Sequence, residues 1–175
     1  MVSDLEHIFS TSAQNMKRSA IREILKLTQK PEVISFGGGL PSPESFPVKD
    51  LKEIINELLD EDGPAALQYG ATEGVMELRE IMVDRYKKEG FNIDIDNLSI
   101  ITSSQQGLYI LGKIFLDRGD KVVCGLPSYL GGISAFNTFG ASLEGIPFDE
   151  QGMRSDKLEE KLNELQDMGQ KPKFI

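Results

Sequence analysis

The sequence predicts an α/β fold built on a mainly parallel sheet. From Leu98 onward, short apolar strand-like runs alternate with helix-like runs, the pattern of strands joined by helical crossovers. The chain has 175 residues, the length of about one domain, and a chain of that size buries about 70% of its unfolded surface without a disulfide or metal staple. Its composition, 39% hydrophobic and 27% charged, is that of an ordinary folded protein and not of a disordered one.

Taken in order, Ser19–Gln29 reads as a first helix with Ile21, Ile24 and Leu25 on one face, stopped by Pro31. Val33–Phe36 reads as a short strand, and the run from Gly37 to Pro43 as a loop. A second helix runs from Pro47 to Asp60 on an apolar stripe of Leu51, Ile54, Ile55, Leu58 and Leu59. Leu67-Gln68-Tyr69-Gly70 is too short and glycine-flanked for regular structure. A third helix covers Gly74–Lys88, with Val75, Leu78, Met82 and Tyr86 inward and Gly90 as its C-terminal cap. Then follow strand Leu98–Thr102, helix Gln105–Leu116, strand Lys121–Cys124, helix Leu130–Thr138, strand Ser142–Pro147, helix Asp156–Met168 and strand Lys173–Ile175. The acidic, lysine-containing helices 48–60 and 156–168 are expected to present solvated outer faces. Phe174-Ile175 is apolar and β-prone with no polar cap after it, which predicts that the chain is part of a longer protein.

Charge and residue counts exclude several function classes. Nineteen basic against 28 acidic residues leave a net charge of −9, which opposes binding to nucleic-acid phosphates or to an anionic membrane surface. A single cysteine, Cys124, cannot form an internal disulfide and fits a reducing, cytoplasmic compartment. One histidine, His7, is too few for a histidine-based metal cluster. The N-terminal residues carry Asp4 and Glu6 without a long apolar run, so no signal peptide is expected. The most apolar stretch, 108–116, is short and interrupted by Lys113, so no membrane span is expected either.

The segment Ile100-Ile101-Thr102-Ser103-Ser104-Gln105-Gln106-Gly107 carries the strongest chemical signal. A strand ends, two serines follow and a helix begins. Free backbone N–H groups and the positive helix end suit a phosphate there, with serine hydroxyls as further donors. The competing reading is plain N-capping by Ser103 or Ser104, which needs no ligand. Downstream, Gly119-Asp120 turns into a buried strand whose carboxyl end opens on Pro127-Ser128-Tyr129. Tyr129 can stack on a planar ligand held at the neighbouring corner, or simply close the core beside its own helix. Tyr69 is either a hydrogen-bond donor or a surface aromatic. Gly37–Gly39 either lets backbone approach a ligand or serves as a flexible connection. Lys113 and Lys121 read as solvated or helix-end charges.

Together these segments resemble the N-terminal part of a fold-type I pyridoxal-phosphate aminotransferase, nearest the subgroup of 2-aminoadipate, kynurenine and related aminotransferases. The resemblance rests on Ile34-Ser35-Phe36-Gly37-Gly38-Gly39-Leu40-Pro41, on Leu67-Gln68-Tyr69-Gly70 followed by Gly74 and Leu78-Arg79, on Ser104-Gln105-Gln106-Gly107-Leu108, and on Gly119-Asp120 leading to Pro127-Ser128-Tyr129. It covers nearly the whole chain in order. It implies an N-terminal arm and substrate-covering segment at 1–46, followed at 47–175 by the first part of the cofactor domain and its mainly parallel sheet.

The resemblance also implies roles. Pyridoxal 5′-phosphate is the expected cofactor. Its phosphate is expected at Ser103, Ser104 and Gln105, and its ring against Tyr129. Tyr69 is expected to reach the phosphate of a partner subunit in a homodimer with shared active sites. Gly38, Gly39 and Arg22 are expected along the substrate. Ser103 stands where the family commonly has glycine, and Cys124-Gly125 where an acidic residue often precedes the Pro-x-Tyr. The family's Schiff-base lysine, and its asparagine, aspartate and arginine around cofactor and substrate, fall beyond residue 175, so none of the thirteen lysines here has that place. The implied activity is exchange of an amino group between an amino acid and a 2-oxo acid, with glutamate and 2-oxoglutarate as one pair, and the 175 residues alone are expected to be inactive. Two alternatives share the fold: a pyridoxal-phosphate-dependent C–S β-lyase, and the non-enzymatic effector domain of a transcription regulator.

Overall fold

The computed structural model describes residues 6–14, 32–34, 36 and 39–175. The chain divides into two compact units, one of Lys17–Ser99 and one of Ile100–Ile175 with Met1–Met16.

In the first unit, α2 spans Val48–Ala66 and α3 spans Met76–Lys88; a short α1, Thr11–Gln14, precedes them in the chain and belongs to the other unit. The backbone of α2 leaves helical geometry at Asp62 (φ −147°, ψ 44°), after which Gly63-Pro64-Ala65-Ala66 adds another turn. Pro64 is tolerated because it lies in the first turn after that kink, where its missing N–H forgoes no hydrogen bond. The helix therefore runs six residues past the expected end at Asp60. Its apolar stripe buries nothing within the described structure: Leu51, Ile54, Ile55 and Leu58 are all at least half exposed. At the end of α3, Gly90 takes a left-handed φ of +93°. Its N–H returns to the Lys87 carbonyl and that of Phe91 to Tyr86, while the Tyr86 and Phe91 rings meet edge-on at 5.7 Å. That is the glycine cap expected from the sequence, with its accompanying hydrophobic contact. Arg79, buried in α3, donates from Nε to the Leu98 carbonyl at 3.0 Å and from Nη2 to Ile95.

In the second unit, α4 covers Ser103–Phe115, β1 Lys121–Leu126, α5 Leu130–Thr138, β2 Ser142–Asp149, β3 Gly152–Met153 and α6 Ser155–Asp167. Strands β1 and β2 are parallel, with Lys121 opposite Ser142 and Leu126 opposite Pro147. β3 turns back antiparallel on the end of β2. Phe174 makes a parallel bridge to Val122, on the other side of β1, so the expected last strand is present as a single bridge. The sheet is mixed, with its longest pairing parallel. Consecutive residues Val122 and Val123 point to opposite faces of β1 and are 2% and 1% exposed, so both faces are covered, as a parallel sheet requires. On one face Val123, Ile146 and Leu165 form the core, with Met153, Leu158 and Leu162 around them. Elsewhere in the unit the Phe174 ring meets Phe115 of α4 and Phe136 of α5 at 5.9 and 5.6 Å.

Two expected strands do not form among the described residues. Val33, Ile34 and Phe36 belong to none, and Ile34 and Phe36 are 85% and 99% exposed. Leu98–Thr102 is also outside any strand: the Leu98 carbonyl accepts from Arg79 and its N–H donates to Ile95. β-prone side chains make a strand only where a ladder partner takes the backbone groups. The expected helix 19–29, with Arg22, and also Gly38, lie outside the described residues.

Candidate cofactor site

The Ile101–Gln106 corner is built by a tight backbone turn. Ser103 donates its N–H to the Ile101 carbonyl at 3.0 Å across Thr102 (φ −79°, ψ 85°), an inverse γ-turn. Ser103 then takes φ +65°, the only non-glycine among the described residues with positive φ. The left-handed region costs a side-chain-bearing residue about 1–2 kcal/mol, which explains why glycine suits this position. The helix α4 starts here, two residues earlier than expected. No side chain caps it, so Ser103 and Ser104 are not its N-caps. Instead Gln106 reaches back with Oε1 to accept the Thr102 N–H. The Ser104 and Gln105 N–H groups thus have no side-chain acceptor, and residues 103–106 are exposed.

The second half of the site is the carboxyl end of β1, where ligands of parallel α/β sheets are found. Tyr129 stands at the N-cap of α5 with its side chain two-thirds exposed. Gln105 joins the two halves: its Nε2 donates to the Gly131 carbonyl in the first turn of α5 at 3.0 Å. Gly131 leaves room there for both side chains. A Cβ on it would lie 2.3 Å from Gln105 Oε1 and 2.3 Å from Tyr129 Cε1, far inside contact distance. Beneath Tyr129 opens a cavity of about 190 Å³, lined chiefly by Leu108, Ile133, Phe136, Leu143 and Cys124. Burial pushes the Cys124 thiol up from its ordinary pKa, so it stays protonated at neutral pH and is no nucleophile. Two helix starts therefore converge beside one aromatic face, and the donor set fits a planar ring carrying an anionic group.

The chain matches the family described as Aminotransferase class I and II over residues 31–175. The chain belongs to this family. It is 42% identical over 174 residues to aromatic-amino-acid aminotransferase 1 of Thermococcus litoralis, covering 98% of this chain and 42% of that protein. It is 40% identical over 167 residues to the 2-aminoadipate transaminase of Thermus thermophilus, covering 95% of this chain and 40% of the relative. The crystal structure of Pyrococcus horikoshii kynurenine aminotransferase, determined in complex with PMP, superposes with a TM-score of 0.87 at 39% identity, over 97% of this chain and 42% of that one. The chain spans about two fifths of the length of these relatives.

Within this aminotransferase segment, Ser103, Ser104, Gln105 and Tyr129 come together in one unit. Tyr69 lies in the other, 97% exposed, with Gln68 Oε1 accepting its backbone N–H at 2.8 Å. Gly39 is exposed at φ +60°. Sequence reasoning missed Gln106 and Gly131. Thr102-Ser103-Ser104-Gln105-Gln106 does contain the Ser/Thr-x-x-Gln spacing of a helix start, but from Thr102 that spacing selects Gln105, and the glutamine that folds back on Thr102 is Gln106, one residue further on. Nothing local in the sequence pointed to Gly131, whose neighbour Gln105 is 26 residues away.

Lys121 is not the solvated charge expected. At 20% side-chain exposure its Nζ sits 2.7 Å from Glu144 Oε1 and 2.9 Å from Ser142 Oγ, with Lys161 3.8 Å from the other Glu144 oxygen. The Lys121 hydrogen bond, with the charge of Lys161 behind it, holds the Glu144 carboxyl below its ordinary range. This network ties β1, β2 and α6 together.

Proposed function

We propose that the whole protein is a pyridoxal-phosphate-dependent aminotransferase and that residues 47–175 supply the phosphate- and ring-binding part of its cofactor domain. The observation that carries this reading is the uncapped α4 start tied by Gln105 to the loop that presents Tyr129, in a chain of the aminotransferase family. In this reading the Ser104 and Gln105 N–H groups and the serine hydroxyls hold the phosphate, and Tyr129 lies against the ring. When bound, the cofactor supplies an electron-withdrawing ring that stabilises negative charge at the substrate's α-carbon. The lysine that carries it belongs to polypeptide outside these 175 residues, so the segment alone does not turn over.

The substrates are an amino acid and a 2-oxo acid, with glutamate and 2-oxoglutarate as one pair, in a cytoplasmic setting. The enzyme is a homodimer in which Tyr69 donates to the phosphate of the neighbouring subunit, while Gly38, Gly39 and Arg22 of the 1–46 arm lie along the substrate. The full exposure of the Tyr69 side chain supports that placement, since a two-fold assembly offers each chain the other's site. The test is to purify the full-length protein, titrate it with pyridoxal phosphate, and follow 2-oxo acid formation from a panel of amino donors with 2-oxoglutarate as acceptor. Saturable cofactor binding with amino transfer is expected. A protein that binds no pyridoxal phosphate overturns the reading, and one that binds it but eliminates thiol from cysteine conjugates without amino transfer would be the β-lyase instead.

A further inference from the structure

We infer that Gln105 acts through its carboxamide as a strut that fixes the span between the anion-holding start of α4 and the aromatic face of Tyr129, with Gly131 as its seat; this rests on the cofactor reading above. The phosphate role expected for Gln105 needs only its backbone N–H. The side chain does something else: its Nε2 donates to the Gly131 carbonyl at 3.0 Å, across 26 residues, from one helix start to the other. Its Oε1 faces Gly131 on the same side as the Tyr129 ring, since a Cβ there would strike both at 2.3 Å. The glycine lets carboxamide and ring close on one point. Gln106 completes the arrangement by holding the Thr102 N–H, so that two consecutive glutamines brace the corner in two directions.

A ligand with an anionic group at one end and a flat ring at the other must match a fixed spacing. Holding that spacing before the ligand arrives lowers the ordering cost of binding. An anion without a ring spans nothing, so the strut is irrelevant to it. The positioning role therefore separates from a phosphate-ligand role by the probe used.

The experiment measures equilibrium dissociation constants of pyridoxal phosphate and of inorganic phosphate for the full-length protein, by titration calorimetry, in wild type, Gln105→Met, Gly131→Ala and Tyr129→Ala. Gln105→Met keeps length and volume but removes the donor. Gly131→Ala pushes carboxamide and ring aside while keeping both. Each is expected to weaken pyridoxal phosphate binding about tenfold, the scale of one hydrogen bond's worth of positioning, with inorganic phosphate within about twofold of wild type. Adding Gln105→Met to Tyr129→Ala is expected to produce no further loss, because both act through the ring. Equal weakening of both ligands would make the side chain a phosphate ligand or a general stability element and overturn the strut. Full additivity of the two substitutions, or unchanged pyridoxal phosphate affinity in both Gln105→Met and Gly131→Ala, would overturn it too. Failure of the underlying reading shows differently, as no pyridoxal phosphate binding by the wild type.

Discussion

Helices α2 and α6 look alike as sequences and have opposite fates. Both are acidic and lysine-containing, and both carry a leucine and isoleucine or leucine-only stripe at helical spacing. In α6 that stripe meets the sheet: Leu165 is 1% exposed against Val123 and Ile146, with Leu158 and Leu162 beside it. In α2 no residue is buried, and Ile54 is 57% exposed. An amphipathic pattern reports that a face needs a partner, and leaves open whether the same stretch of chain supplies it. The same contrast runs through the described residues, where seven buried hydrophobics stand against thirty-two large exposed ones.

The contrast breaks most directly by truncating one leucine and one isoleucine. Leu165→Ala is expected to lower the unfolding free energy of the 175-residue chain by about 3 kcal/mol, from lost transfer energy plus the cavity left behind. Ile54→Ala should cost less than about 0.5 kcal/mol there, as for an exposed site, and more in the full-length protein. Urea unfolding of both variants in both lengths checks this; equal costs in the short chain would erase the distinction between the helices.

Glycines sharpen it next. A Cβ at Gly112 would lie 2.6 Å from the Phe139 ring, so Gly112→Ala should destabilise by about 1–3 kcal/mol through overpacking. At Gly63 in α2 the nearest atom, Leu59 Cδ2, is 4.0 Å away, and Gly63→Ala should be neutral or stabilising by thermal melting.

Charges come third. Glu144→Gln should cost about 1 kcal/mol, less than the roughly 1.5–3 kcal/mol of a hydrogen bond to a charge because the pair stays partly wetted, whereas Glu53→Gln, at the exposed 3.8 Å pair with Lys49, should leave stability unchanged. The Glu144 carboxyl is held below its ordinary pKa, so its contribution is present above that ordinary value and is lost as pH falls through the lowered folded value. The acid limb of the stability curve should therefore flatten in Glu144→Gln and stay unaltered in Glu53→Gln. The smallest effect is at Ser103: Ser103→Gly relieves the left-handed backbone at φ +65° and should stabilise by about 0.5 kcal/mol, net of the freedom glycine adds to the unfolded chain.

What the sequence made legible is whatever is local. Helix 130–138 falls where its pattern put it, and Gly90 caps its helix by the geometry expected. Pairing is not local: Val33, Ile34 and Phe36 and the run Leu98–Thr102 have strand composition and belong to no strand, while β1 runs two residues past Cys124 because Ile146 and Pro147 of β2 lie opposite its end, and β2 runs two past Pro147 because β3 turns back on Phe148 and Asp149. At the candidate site, Ser103, Ser104, Gln105 and Tyr129 could be singled out because motif and helix start lie within a few residues. Gly131 was not, because its reason is a side chain 26 residues away.

The central claim is that the α4 start holds the cofactor phosphate through backbone N–H groups, and amide hydrogen exchange reads those groups directly. First-turn amides with no acceptor exchange fast unless something binds them. In the full-length protein, saturating pyridoxal phosphate should slow exchange at Ser104 and Gln105 well beyond any change at the start of α6, which serves as the internal control. Cofactor bound at saturation with Ser104 and Gln105 exchanging as fast as in its absence would contradict the account.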